Sequence, residues 1–161
     1  MLTLWIAGAA EPSGSKTRTK WGIRESNPSA ADYRVVVASE VARAMEEHGL
    51  ELVRRPRPVY LSVTFYRVRP SSHYRSNGLA LNAEGDRRPW PTTKPDRGKT
   101  LRTIEDALTG VLYEDDAQVV EGVVAKRWGE RAGARLSVAL WENDPLSESG
   151  GRWSGWEETG W

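Results

Sequence analysis

Cysteine is absent from the chain, and histidine occurs only twice, as His48 and His73. The first absence excludes a disulfide framework and a thiolate metal site. The second argues against zinc, so any metal would be held by oxygen, which favours magnesium or manganese. No run is long and apolar enough to cross a membrane. The opening MLTLWIAGAA lacks a basic start and reads as a strand, not as a signal peptide. The expected location is the cytoplasm. A length of 161 residues suits one domain with one core.

What the chain does have is charge, unevenly distributed. Residues 54–102 carry twelve Lys and Arg against three Asp and Glu, a balance of +9. Residues 103–161 carry five against twelve, or −7, and residues 1–53 six against seven, or −1. The net charge of +1 conceals this asymmetry. A basic half suits a polyanionic partner, and an acidic half suits cations or simple solvation.

Along the chain, LTLWIAG is β-prone and EPSGSKTRTKWGIRESNPS reads as a polar loop. SAADYRVVVASEVARAMEEHG predicts an amphipathic helix, capped at Ser29 with Asp32 three residues on and ended by Gly49. Its inner face is expected to hold Tyr33, Val36, Val37, Val41 and Met45. RPVYLSVTFYRV alternates Val59, Leu61, Val63 and Phe65 on one face of a strand. RPSSHYRSNGLALNAEGDRRPWPTT follows, a long segment broken by Pro and Gly, of the length that is usually functional or disordered.

Thr100 is a candidate cap for a second helix with Leu101, Ile104 and Leu108 inward and Gly110 at its end. DDAQVVEGVVAKRW and ARLSVALWE then read as two strands, an antiparallel pair joined through GERAG. The fold class is therefore α/β (α+β): a small single domain, a mixed sheet and two main helices. Residues 1–142 form the domain, and 143–161 a tail, flexible or docked on a partner, whose tryptophans would also allow it to lie ordered against the body. Trp5, Trp128 and Trp141 are core or sheet-face residues on this reading. His73 and Tyr74 in the long segment are candidates for contact with DNA, against the simpler reading of local packing.

The stretch TTKPDRGKTLRTIEDALTGVLYEDDAQVV sets one acid, Asp96, before the second helix and two, Asp115 and Asp116, after it. Cations crowd the first acid. Asp96 lies where a helix dipole favours an anion. Arg102 and Asp106 are four apart and share a face, which by itself describes a surface ion pair. Two readings stand together here, surface decoration and a metal site facing phosphate.

The same stretch resembles the RusA-type Holliday junction resolvases, small endonucleases common in phages and prophages. Their pattern runs Lys-Pro-Asp-x-Asp-Asn-Leu, then Asp-Ala-Leu, then Asp-Asp-x-Gln-Val. It is matched at Lys94, Pro95, Asp96, Asp106, Ala107, Leu108, Gly110, Asp115, Asp116, Gln118 and Val119, and Arg102 stands where the family has a lysine. The resemblance implies a homodimer in a bacterial host or phage-infected cell, binding four-way junctions in branched DNA and cutting two opposing strands with Mg²⁺ (or Mn²⁺). It implies Asp96 and Asp116 as catalytic ligands, Asp115 as a ligand or its support, and Arg102 against the transition-state charge. It places Lys16, Arg18, Lys20, Lys94, Arg97, Lys99 and Lys126 on the DNA backbone.

One position departs from the pattern. The second acid is Gly98 here, and the following Asn is Lys99. In an extended segment residues 96 and 98 would face one cation, so a ligand is missing. Either Asp106 or Glu105 fills the gap, or the chain is a weak or inactive nuclease that still binds branched DNA.

Overall fold

The computed structural model describes residues 1–13, 16–19, 22–25, 28–78, 80–143 and 151–153. Its centre is strand β4 (Val59–Val68), in which Val59, Leu61, Val63 and Phe65 are all buried on one face as their alternation predicts. On one side β4 pairs antiparallel with β7 (Gly133–Asn143), and β7 in turn pairs antiparallel with β1 (Leu2–Ala7). On the other side it pairs parallel with β5 (Val119–Glu121) and β6 (Val124–Gly129). The sheet is therefore mixed.

Strands β5 and β6 occupy the same edge of β4, interrupted at Gly122. A side chain at Gly122 would begin 1.8 Å from the Leu61 carbonyl oxygen, so only glycine lets the edge pass this close. The expected pairing of DDAQVVEGVVAKRW with ARLSVALWE does not occur, because β4 lies between β6 and β7. A short connection suggests a hairpin, but the alternating apolar residues of β4 fit the centre of the sheet and displace it.

Helix α1 (Pro28–Glu47) and helix α3 (Arg97–Leu108) pack on each other against the buried sheet face. The inner stripe of α1 is Ala30, Tyr33, Val37, Val41, Ala44 and Met45, at helical spacing. Val36 is 44% exposed and does not belong to it, since one position before Val37 turns it about 100° off the stripe. Ser29 lies inside the first turn, so it does not cap the helix; proline at position 28 suits a helix's first residue. Helix α3 contributes Ile104, Ala107 and Leu108, with Leu101 partly buried at the margin. Gly110, at φ +79°, follows its end.

Two regions expected to be irregular contain structure. The polar N-terminal loop carries a hairpin, β2 (Lys16–Thr19) with β3 (Gly22–Glu25). Its residues lack the apolar alternation that marks a half-buried strand, so nothing in the composition announces it. The long segment after β4 is knit by Asn82. Its side-chain oxygen accepts from the amides of Glu84 (3.0 Å) and Gly85 (2.9 Å), starting the single-turn helix α2 (Ala83–Asp86). Its side-chain nitrogen donates to the carbonyls of Ser72 and Tyr74.

In the C-terminal region, β8 (Gly151–Trp153) pairs antiparallel with the end of β7. Trp153 sits edge-on to Trp141 at 5.2 Å between ring centres and contacts Tyr60 at 5.8 Å. Its indole N–H donates to Glu121 at 3.2 Å. Trp5, Trp128 and Trp141 are half-buried sheet-face residues and none joins the core. Among the described residues no helix is long and apolar enough to span a membrane.

Candidate active site at the two ends of helix α3

Asp96 caps α3. Its side-chain oxygen accepts from the Lys99 amide at 3.1 Å, and its carbonyl accepts from the Thr100 amide and hydroxyl. Thr100 is buried one turn inside the helix, so the expected cap at Thr100 moves back four residues. An Asp at this position satisfies orphan amides and meets the positive end of the dipole, and it remains exposed.

The approach to Asp96 is pinned from the sheet. Lys126 on β6 donates to the carbonyls of Thr93 (2.6 Å) and Pro95 (3.0 Å). Arg67 on β4 donates to the Thr93 hydroxyl at 2.9 Å and to the Lys94 carbonyl. Partial burial and the neighbouring Arg67 charge hold the Lys126 ammonium below the usual lysine range, and Asp96 opposes this. Lys126 thus braces the segment that carries Asp96. Arg67 was not among the residues expected at the site, but a signal existed. The inward series 59, 61, 63, 65 is apolar and its next member, 67, is arginine. A cation at that place in the period needs a polar neighbour.

At the far end of α3, Glu105, Asp106 and Asp116 face a common region. Burial raises the Glu105 carboxyl above the usual range, the charges of Asp116 and Asp106 raise it further, and Arg102 one turn earlier opposes them. The same acids, after burial, push the Tyr113 hydroxyl up. That hydroxyl donates to the Glu105 carbonyl at 3.2 Å. Asp106 reaches Arg34 of α1 at 3.9 Å, and an ion pair with Arg102 does not form among the described residues.

Because the folded Glu105 binds its proton more tightly than the unfolded chain does, its ionisation opposes folding. Stability falls as pH rises from the ordinary glutamate range through the raised folded value. Glu105→Gln is therefore expected to melt higher than the parent at pH 7, with the difference vanishing by about pH 3, below the ordinary glutamate value. Thermal melts at both pH values check this.

Asp115 and Gln118 form a reciprocal cap on the 3₁₀ turn Asp116–Gln118. Asp115 accepts from the Ala117 amide at 2.9 Å, and Gln118 accepts from the Asp115 amide at 3.1 Å. Gln118 is buried, and its amide nitrogen reaches the carbonyls of Val53 and Arg57. Asp115 also pairs with Arg55. Asp116, which begins the turn, is exposed. The structure thus separates the adjacent acids by environment: Asp115 is engaged by the protein, and Asp116 faces solvent.

The expected basic residues are placed unevenly. Lys94, Arg97 and Lys99 are exposed around the start of α3, with Arg97 donating to the Val124 carbonyl at 3.2 Å. Arg102 is exposed on the same helix. Lys16 and Arg18 lie on β2, where only the backbone is described, and Lys20 lies outside the described residues. His73 is 5% exposed and packs edge-on against Trp128 at 5.7 Å, so it is not available for DNA contact. Its ring fills space behind Trp128.

Gly98 lies in the first turn of α3, not in an extended segment. The position nonetheless adjoins Asp96, which lies just before the helix. A Cβ at Gly98 would stand 3.4 Å from the Asp96 side-chain oxygen, in ordinary contact. Positions 98, 102 and 106 follow one another at helical intervals of four, so the gap also shares a face with Arg102 and Asp106.

Among the described residues no three carboxylates or imidazoles converge to hold a metal. The donors present are carboxylate oxygens. They do not form an all-protein cage of the kind calcium takes. Mg²⁺ is usually held by one or two carboxylates with waters and substrate phosphates, and the exposed Asp96 and Asp116, at opposite ends of α3, are each compatible with that as the ligand of a separate ion.

Acids and guanidinium along one helix, with cations at its head, describe a small α/β protein equipped for a phosphodiester backbone. Comparison with known proteins places it within that class. The profile of endodeoxyribonuclease RusA matches residues 10–140, and the chain belongs to the RusA endodeoxyribonuclease family. It is also 40% identical over 128 residues to the uncharacterized protein YqaN of Bacillus subtilis (strain 168), covering 79% of this chain and 84% of that protein.

Proposed function

We propose that the chain acts as a homodimer that binds four-way DNA junctions and cuts two opposing strands in a reaction dependent on Mg²⁺ or Mn²⁺. The observation that carries this reading is the family match over residues 10–140, a range that includes Asp96, Arg102, Asp115 and Asp116. Asp96 and Asp116 are the residues proposed as cation ligands; standing at opposite ends of the 12-residue α3, they would hold separate cations, each neutralising charge developing on phosphodiester oxygens. Asp115 supports Asp116 by fixing its turn. Arg102 meets the negative charge of the transition state. Lys94, Arg97 and Lys99 hold the DNA backbone, joined by Lys16, Arg18 and Lys20. For Lys126 the proposed role changes from backbone contact to bracing the turn before Asp96, since its ammonium is already committed to carbonyls. A two-fold dimer matches a two-fold junction.

One observation favours a second reading. Gly98 supplies no acid beside Asp96, and no carboxylate triad forms among the described residues. A protein that binds branched DNA and cuts it poorly or not at all would have these features.

Both readings require electrostatic binding. Lys94→Ala and Arg97→Ala are each expected to weaken junction affinity across sequences and to reduce the slope of log affinity against log salt by about one. Titrations at several salt concentrations test this. Unchanged slopes would remove the start of α3 from the DNA. Light scattering of the protein–junction complex that gives one subunit per junction would remove the dimer.

A further inference from the structure

Trp90 is 51% exposed, in an exposed segment whose backbone carbonyls are bonded to the sheet on both flanks. The sequence around it is Arg87-Arg88-Pro89-Trp90-Pro91. Proline on each side fixes φ at about −65° and leaves the backbone little freedom to fold the indole inward. Strand β6 staples both flanks. The Trp128 indole donates to the Arg88 carbonyl at 2.9 Å, and Lys126 donates to the Thr93 carbonyl at 2.6 Å. Residues 126 and 128 lie on one side of β6, as period two requires. From the residue between them, the Arg127 guanidinium lies over the Trp90 ring, 4.1 Å from its centre. Arg69 adds a bond to the Arg88 carbonyl at 3.1 Å and lies over Trp128.

An indole held out in this way carries an ordering cost already met by the fold. A guanidinium on one face polarises the ring and brings positive charge to its rim. Of the five Lys and Arg in residues 87–99, Arg87 and Arg88 pair with Glu84, while Lys94, Arg97 and Lys99 are exposed on the side toward α3 and suit a polyanion. An aromatic ring backed by arginine within a basic track is the arrangement on which unpaired bases stack.

We propose that Trp90, backed by Arg127, is a stacking platform for an unpaired nucleobase at the branch point of the bound DNA. This rests on the branched-DNA reading above and adds to it how a branch is distinguished from duplex. In continuous duplex each base face is already covered by its neighbour, so the platform has nothing to take. At a branch point the outermost bases can be unstacked at low cost, and the indole replaces the lost neighbour. Phosphate contacts alone would bind both forms.

The test uses four-way junctions carrying 2-aminopurine at the crossover, a continuous duplex of the same length, and the parent, Trp90→Phe and Trp90→Ala proteins. The platform predicts a fluorescence change at the crossover with the parent, largely kept by Trp90→Phe and lost in Trp90→Ala. It predicts a fall in junction affinity of roughly 5- to 150-fold for Trp90→Ala, with duplex affinity within about twofold of the parent. A folded Trp90→Ala protein that binds the junction like the parent and gives the same fluorescence change overturns the platform alone. Equal weakening on junction and duplex also overturns it, since the ring would then serve general binding. Dissociation of a parental dimer in Trp90→Ala would assign the ring to a protein surface instead. A parent that binds no junction removes both this inference and the reading on which it rests.

Discussion

Asp96→Asn is expected to keep the fold and junction binding and to lower cleavage by roughly two to four orders of magnitude, the range for removing a charged group that acts in the chemical step. Asparagine caps a helix about as well as aspartate, so the bond to the Lys99 amide has a replacement oxygen. What the substitution removes is the negative charge beside Lys126 and at the head of a basic track. Attraction to phosphate is therefore unchanged or stronger. Asp96→Ala differs in an informative way, because it also loses the cap at a cost of about 1 kcal/mol. Comparing the two separates the structural work of this carboxylate from its chemical work. Full cleavage by a folded Asp96→Asn protein would mean that capping α3 is the residue's only task. Asp116→Asn should behave like Asp96→Asn, since Asp116 is exposed and its turn is held by Asp115 and Gln118.

The second large effect is a gain. Gly98→Asp should lower the Mg²⁺ concentration for half-maximal cleavage by about tenfold, a change of ~1.4 kcal/mol. The site is open to a side chain, with the Asp96 oxygen in ordinary contact at 3.4 Å from the new Cβ. A second carboxylate there shares a cation with Asp96 and offsets the repulsion from Lys99. The variant should also melt at higher temperature. Glycine in a helix costs roughly 0.5–1 kcal/mol relative to alanine, and an acid in the first turn gains from the dipole. Gly98→Asn should share part of the stability gain without the shift in metal dependence, which keeps the two effects apart. A parent already saturated at low Mg²⁺, together with an inactive Asp106→Asn or Glu105→Gln, would contradict this and give the role to the acids at the far end of α3.

These two predictions draw on features that differed in how far the sequence revealed them. The alternation from Val59 to Phe65 placed β4, and the apolar spacing of both main helices placed their inner faces, because burial leaves a period in the residues themselves. The acids at the ends of α3 were visible for the same local reason: they stand where α3 begins and where the turn after it starts. The separation of β6 from β7 by β4 is not legible in the sequence, because strand partners depend on the whole sheet and a short connection is consistent with either arrangement. The brace formed by Arg67 and Lys126 was hidden for a related reason. Each reaches a carbonyl about thirty residues away, and backbone carbonyls carry no mark in a sequence. His73 and Trp90 each invert the exposure that their residue type suggests. A histidine in a polar loop suggested exposure, yet Trp128 covers it, while an apolar tryptophan stands out between two prolines.

The exposed acid at the head of α3 and the empty position beside it make cleavage itself the deciding property. The most direct measurement is strand scission of a synthetic four-way junction labelled on each strand in turn, over a titration of Mg²⁺ and then Mn²⁺, with Asp96→Asn beside the parent. Paired cuts in two opposing strands that require the cation and vanish in Asp96→Asn are the predicted result. Tight junction binding by the parent without cuts at any concentration of either metal would contradict it, and would leave a protein that holds branched DNA without breaking it.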